Sequence, residues 1–113
     1  MLKDLVKEED FNSFLQNNQN KLVLVKFSTV WCSPCQVLQK NIEELLSELE
    51  KMTGQSKDLV VLQIDAEKFP RLAQRPLFSV YSVPTIFLFH QGKMIKRGSG
   101  SMSVQQLKEF ISI

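Results

Sequence analysis

The chain has 113 residues, 43% of them hydrophobic and 23% charged, which fits one globular domain spanning residues 1–113. Its formal net charge is +2, too small to argue for nucleic acid or an anionic membrane as a partner. No apolar run approaches the ~20 residues of a membrane-spanning helix.

Leu2 to Val6 reads as a short edge strand. The first ten residues alternate charged with apolar side chains and contain no signal-peptide core, so the expected location is the cytoplasm. Glu8 to Asn18 predicts a helix with Phe11, Phe14 and Leu15 on one side. Lys21 to Phe27 is a short, mostly apolar, β-branched run, the pattern of a strand buried on both faces. Leu38, Ile42, Leu45, Leu49 and Met52 then recur at spacings of three and four, with Leu46 widening the stripe. Glu43, Glu44, Glu48 and Glu50 lie opposite. This is an amphipathic helix of about five turns, ending near Thr53-Gly54. Asp58 to Asp65 predicts a second buried strand. Residues 67 to 75 predict a helix opened by Pro70 and halted before Pro76. Thr85 to Phe89 is a third strong strand, Gln91-Gly92 a hairpin turn, and Lys93 to Gly98 the returning strand. Lys93, Lys96 and Arg97 read as the solvated face of that strand. Ser103 and Gln106 fit a capping box, with Val104, Leu107, Phe110 and Ile111 on the buried face of a last helix. The order is β-α-β-α-β-α-β-β-α, an α/β chain. Helices must cover both faces of the sheet. Strands separated by helices are expected to run parallel, and the final hairpin to add an antiparallel edge.

The only two cysteines lie in Trp31-Cys32-Ser33-Pro34-Cys35, between the first buried strand and the long helix. A structural zinc site takes four ligands, and the chain offers two Cys and one His. A zinc site would have to be shared between two chains. His90 reads as a strand-end residue near a turn. A bridge across two residues closes too short a loop to remove much entropy from the unfolded chain. Redox exchange has a direct mechanism at this place. Unpaired N–H groups and the dipole at a helix N-terminus favour a thiolate.

These residues give the sequence its resemblance to the thioredoxin family. The match comprises Phe27, Trp31-Cys32-Ser33-Pro34-Cys35 and Ile64-Asp65. It continues through Phe78, Val80, Val83-Pro84-Thr85, Gly92 and Gly100, over essentially the whole chain. The resemblance implies a thioredoxin fold, a central mixed sheet flanked by helices on both faces. It implies a thiol–disulfide oxidoreductase that reduces protein disulfides through a reversible Cys32–Cys35 dithiol/disulfide, with no other cofactor and no metal. Cys32, nearer the surface, would attack a client disulfide, and Cys35 would resolve the mixed disulfide. Trp31 would wall the site or serve as a core aromatic. Val83-Pro84 would carry a cis peptide bond, with the Val83 backbone pairing with the client. Pro84 and Gly100 would flank the groove, glycine permitting close approach. Ser33, Pro34 and Thr85 complete the site. The implied partners are disulfide-containing clients and a thioredoxin-reductase-type electron donor, without nucleic acid or membrane, and the expected state is a monomer.

Four departures from the family pattern stand out. Ser33 replaces the usual glycine. Lys26 replaces a buried aspartate proposed to assist proton transfer at the second cysteine, and Val61 replaces the lysine that often partners it. Lys26 either snorkels to a strand end or modulates proton transfer. Lys40 stands where the long helix usually has a proline. The chain is also longer before Asp65 and between Asp65 and Phe78, where Arg71 to Leu77 would lengthen the third helix or its exit loop. Two alternatives follow: a specialised oxidoreductase with few clients, and a thioredoxin-fold module that binds partners without redox chemistry.

Overall fold

The computed structural model describes residues 2–53 and 58–112. The elements are β1 (Leu2–Asp4), α1 (Asp10–Asn17), β2 (Leu22–Ser28), α2 (Ser33–Thr53), β3 (Leu59–Asp65), α3 (Pro70–Ala73), β4 (Thr85–His90), β5 (Lys93–Ser99) and α4 (Val104–Phe110). Their order is the expected one. The side chain of Met52, and Gly54, where the helix stop was expected, lie outside the described residues.

The strands form a five-stranded sheet in the order β1-β3-β2-β4-β5. Alternation along β2 divides the core. Val23, Val25 and Phe27 face Phe11 and Phe14 of α1 and Leu72 of α3. Leu24 faces Leu38, Ile42 and Leu45 of α2 and Leu107 of α4. Both faces are thus covered, and β2 is apolar on both sides because it lies at the centre.

One expected pairing is wrong. β1 and β2 run parallel to β3, but β4 runs antiparallel to β2. α3 does not serve as a crossover. Its four residues rise about 6 Å, while a seven-residue strand spans about 23 Å, so the helix cannot carry the chain back across the sheet. The expected helix over 67 to 75 shrinks to one turn between two prolines. The Asp65 carboxylate accepts from the N–H groups of Glu67 and Lys68 and bends the chain before Pro70 can open the helix. Of the extra length around Arg71 to Leu77, the first three residues belong to α3 and the rest lie in its exit loop. β4 starts at the end where β2 stops, with Thr85 opposite Phe27, and this delivers Val83 and Pro84 to the cysteines.

The last two elements follow the local chemistry. Gln91 and Gly92 both have positive φ, 54° and 78°, as a two-residue turn matched to strand twist requires. Ser103 accepts from the Gln106 N–H at 3.1 Å, and the Gln106 side chain accepts from the Ser103 N–H at 2.9 Å. Removing the first bond by Ser103→Ala should cost about 1 kcal/mol, read as a lower urea midpoint at unchanged slope. An unchanged midpoint would show that tertiary packing alone fixes α4.

Candidate active site

The end of β2 and the start of α2 place the cysteines. Cys32 precedes the first residue of α2, and Cys35 lies in its first turn. The two are joined as a disulfide with Cα atoms 5.2 Å apart. The Cys35 N–H points at the Cys32 sulfur at 3.2 Å. This is a free donor of the helix start, aimed where a thiolate charge would develop.

Both cysteines are buried, Cys32 at 4% exposure and Cys35 at 2%. Depth separates them less than the expectation that Cys32 is nearer the surface; sidedness separates them more. Cys32 lines a mostly apolar cavity of about 600 Å³ with Trp31, Pro34, Tyr81 and Val83. Cys35 lines a second cavity, of mixed polarity and about 490 Å³, with Lys26, Gln63 and Asp65.

The other expected site residues gather around this pair. The Cys32 sulfur lies 3.7 Å from the Val83 carbonyl oxygen. The Val83–Pro84 peptide is cis. Pro84 is buried, and its carbonyl accepts from the Gly100 N–H at 2.9 Å. Thr85 is buried and donates to the Ser82 carbonyl at 2.7 Å. Ser33 and Pro34 are exposed at the first turn of α2. Trp31 is 67% exposed, so it is not a core aromatic. Its indole N–H donates to Glu67 at 2.7 Å, which fixes the ring beside Cys32. Gly100 has open space where a Cβ would stand, and its φ of +81° favours glycine. Close approach belongs to Gly98, where a Cβ would sit 2.6 Å from the Met102 methyl carbon.

Lys26 is buried at 1% exposure. Its amine donates to the Cys35 carbonyl at 3.1 Å and to the Gln63 side-chain oxygen at 2.9 Å. Burial lowers its pKa from 10.5 to about 8, against the opposing pull of Glu43 and Asp4. The side chain therefore does not snorkel to water. Val61, where the family often has a lysine, is a fully buried core residue opposite Leu24.

Sequence reading missed several residues of the site. Gln63 and Asp4 meet Lys26 only through strand register. Thr29 is buried between the two cavities, and its hydroxyl has no hydrogen-bond partner among the described residues. Arg97 donates from its guanidinium to the carbonyls of Phe78 and Ser79 and lies over the Phe87 ring at 5.1 Å. It braces the segment that leads to Val83, in which Ser79 has φ of +44°. No group of three or more His, Cys, Asp or Glu among the described residues is arranged to hold a metal ion. No described helix is long and apolar enough to cross a membrane.

Comparison with known proteins gives this geometry a family. The thioredoxin family model matches residues 3–113. The chain is 38% identical to thioredoxin Y2, a chloroplastic protein of Arabidopsis thaliana, over 93% of this chain; it spans 59% of that relative's length. It is 33% identical to a thioredoxin of Chlamydia trachomatis, covering 96% of this chain and 94% of that one. The structure of Fasciola hepatica thioredoxin matches with a TM-score of 0.80 at 25% identity, over 96% and 95% of the two chains. The chain therefore belongs to the thioredoxin family of thiol–disulfide oxidoreductases, and Cys32–Cys35 is its redox-active disulfide.

Proposed function

We propose that this chain acts as a single domain that reduces disulfide bonds in client proteins, with Cys32 as the attacking thiolate and Cys35 as the resolving thiol. The observation that supports this most is the sidedness of the pair: Cys32 lines the apolar cavity beside Val83, and Cys35 does not. Cys32 attacks one sulfur of the client disulfide, forms a mixed disulfide and expels the other sulfur as a thiolate. Cys35 then attacks the Cys32 sulfur and releases the second client sulfur. The client gains two electrons, and the chain is left with the Cys32–Cys35 disulfide seen in the structure. A reductase of the thioredoxin-reductase class returns the electrons.

The client enters as an extended strand against the Val83 backbone, with Pro84 and Gly100 behind it and Trp31 alongside. Ser33 and Pro34 border this surface, and Thr85 supports it from within. The expected setting is a reducing compartment, with the cytoplasm as first choice, and the expected form is a monomer. Reduction of insulin by dithiothreitol, followed by turbidity, tests the reading. Wild type should accelerate it and Cys32→Ser should not. Equal rates from the two would reject it.

A narrow client range is the second reading, and one feature favours it. Leu77, at the end of the lengthened segment, and Tyr81, just before Val83, are 58% and 91% exposed. Tyr81 also lines the cavity beside Cys32, where an exposed aromatic would select among clients.

Lys26 is the proposed modulator of the Cys35 step. Its lowered pKa gives it a neutral fraction near the ~8.5 of an ordinary thiol, so it can accept the Cys35 proton, or as a cation favour the thiolate. The same shift links to stability. Below about 8 the folded chain holds a buried ammonium. Between about 8 and 10.5 the unfolded chain binds more protons than the folded one, so the lysine's contribution to stability rises with pH. The unfolding free energy of Lys26→Met minus that of wild type should therefore fall across that window. A pH-independent difference would contradict a buried, titrating lysine.

A further inference from the structure

The cavity behind Cys35 is bounded by β1, β2, β3 and α2, and four of its residues form one chain of hydrogen bonds. Asp4 of β1 accepts from the Gln63 side-chain nitrogen at 2.9 Å. Gln63 of β3 accepts from Lys26 through its side-chain oxygen at 2.9 Å. Lys26 of β2 donates to the Cys35 carbonyl at 3.1 Å. Register makes this chain possible, because Asp4 and Lys26 both lie opposite Gln63, on its two neighbouring strands.

An amide has one accepting and one donating end. The Asp4 carboxylate only accepts, so it claims the nitrogen end of Gln63. The oxygen end is thereby turned to Lys26, whose amine needs an acceptor in a buried place. Two of the lysine's hydrogens are then engaged, on Gln63 and on Cys35. What remains is one N–H when it is charged, or a lone pair when it is neutral, facing the cavity that Cys35 also lines.

We propose that Asp4 and Gln63 are positioning residues for the second half of the reaction: Asp4 sets the Gln63 amide, and Gln63 holds the Lys26 amine against Cys35. This rests on the reading of Lys26 and Cys35 given above. The other charged groups near Lys26 are Glu43 of α2, and Asp65 at the end of β3 and Lys68 just beyond it. Its β4 neighbour is the uncharged Ile86. Asp4 is the group that reaches the lysine through an oriented partner.

The test follows Lys26 by NMR titration of its side-chain Cε and Nζ in the whole chain, and follows Cys35 by stopped flow. For the second arm, Cys32 is loaded with thionitrobenzoate and its release by Cys35 is recorded from pH 6 to 10. Asp4→Asn removes a negative charge and frees the amide to turn. The Lys26 midpoint should drop by about half a unit, and the pH profile of thionitrobenzoate release should move with it. Gln63→Glu should move both the other way. In a Lys26→Met background, Asp4→Asn should leave the release profile unchanged. Unmoved midpoints in Asp4→Asn and Gln63→Glu, or the same profile shift in the Lys26→Met background, would overturn the proposal. Wild type that never releases thionitrobenzoate would overturn the reading of Cys35 itself, a different failure.

Discussion

Cys35→Ser should leave the first exchange intact and abolish the second, so client proteins accumulate on Cys32 as mixed disulfides. Catalytic insulin reduction should drop to the level of the uncatalysed reaction, while a single stoichiometric burst of thiol release survives. The reason is geometric. Cys35 is buried in the first turn of α2, bonded to Cys32, with no other cysteine in the chain to replace it. A serine hydroxyl cannot break a disulfide near neutral pH. Cys32→Ser should instead abolish the burst and trap nothing. The two variants together separate attack from resolution. Traps forming equally on both single variants would mean that the two sulfurs are interchangeable.

Phe78→Ala should be the most damaging core substitution near the site, costing about 3–5 kcal/mol. Phe78 is fully buried. Its ring centroid lies 5.0 Å from Phe87, 5.2 Å from Phe27, 5.5 Å from Phe11 and 6.2 Å from Phe89. One truncation therefore opens contacts to α1, β2 and β4 together. Against the ~5–15 kcal/mol of a typical domain, this is enough to leave the chain marginal. Phe78→Leu keeps most of the volume and should cost less, so it serves where the alanine variant fails to fold. Ser79 and the loop leading to Val83 start from this ring, so Phe78→Leu should also weaken client reduction. A loss under about 1 kcal/mol in urea for the alanine variant would show that the cluster relaxes around the hole.

The sequence made the helices and strands legible wherever one face alone was buried or a run was apolar throughout. The stripe of Leu38, Ile42 and Leu45 and the run of Val23 to Phe27 needed no tertiary information. The direction of β4 did, because it depends on how far α3 carries the chain, and a single turn between prolines differs little in composition from a longer helix. The burial of Lys26 was only partly readable, from its core-like neighbours Leu24, Val25 and Phe27. Its partners were not, because Gln63 and Asp4 become adjacent only when β2, β3 and β1 pair in register. Arg97 is exposed, as expected, but its contacts were hidden for a similar reason. In a basic strand it looks like a solvated face, and only the fold brings the carbonyls of Phe78 and Ser79 to its guanidinium. Gly100 and Gly98 show that glycine marks a constraint in sequence without saying whether conformation or contact imposes it.

The assignment of Cys32 as nucleophile is tested most directly by brief alkylation of the reduced chain with iodoacetamide at neutral pH, with each cysteine quantified by peptide mass. The account predicts that Cys32 is modified well before Cys35, because its sulfur lines the apolar cavity and receives the Cys35 N–H. Equal modification, or modification of Cys35 first, would contradict it.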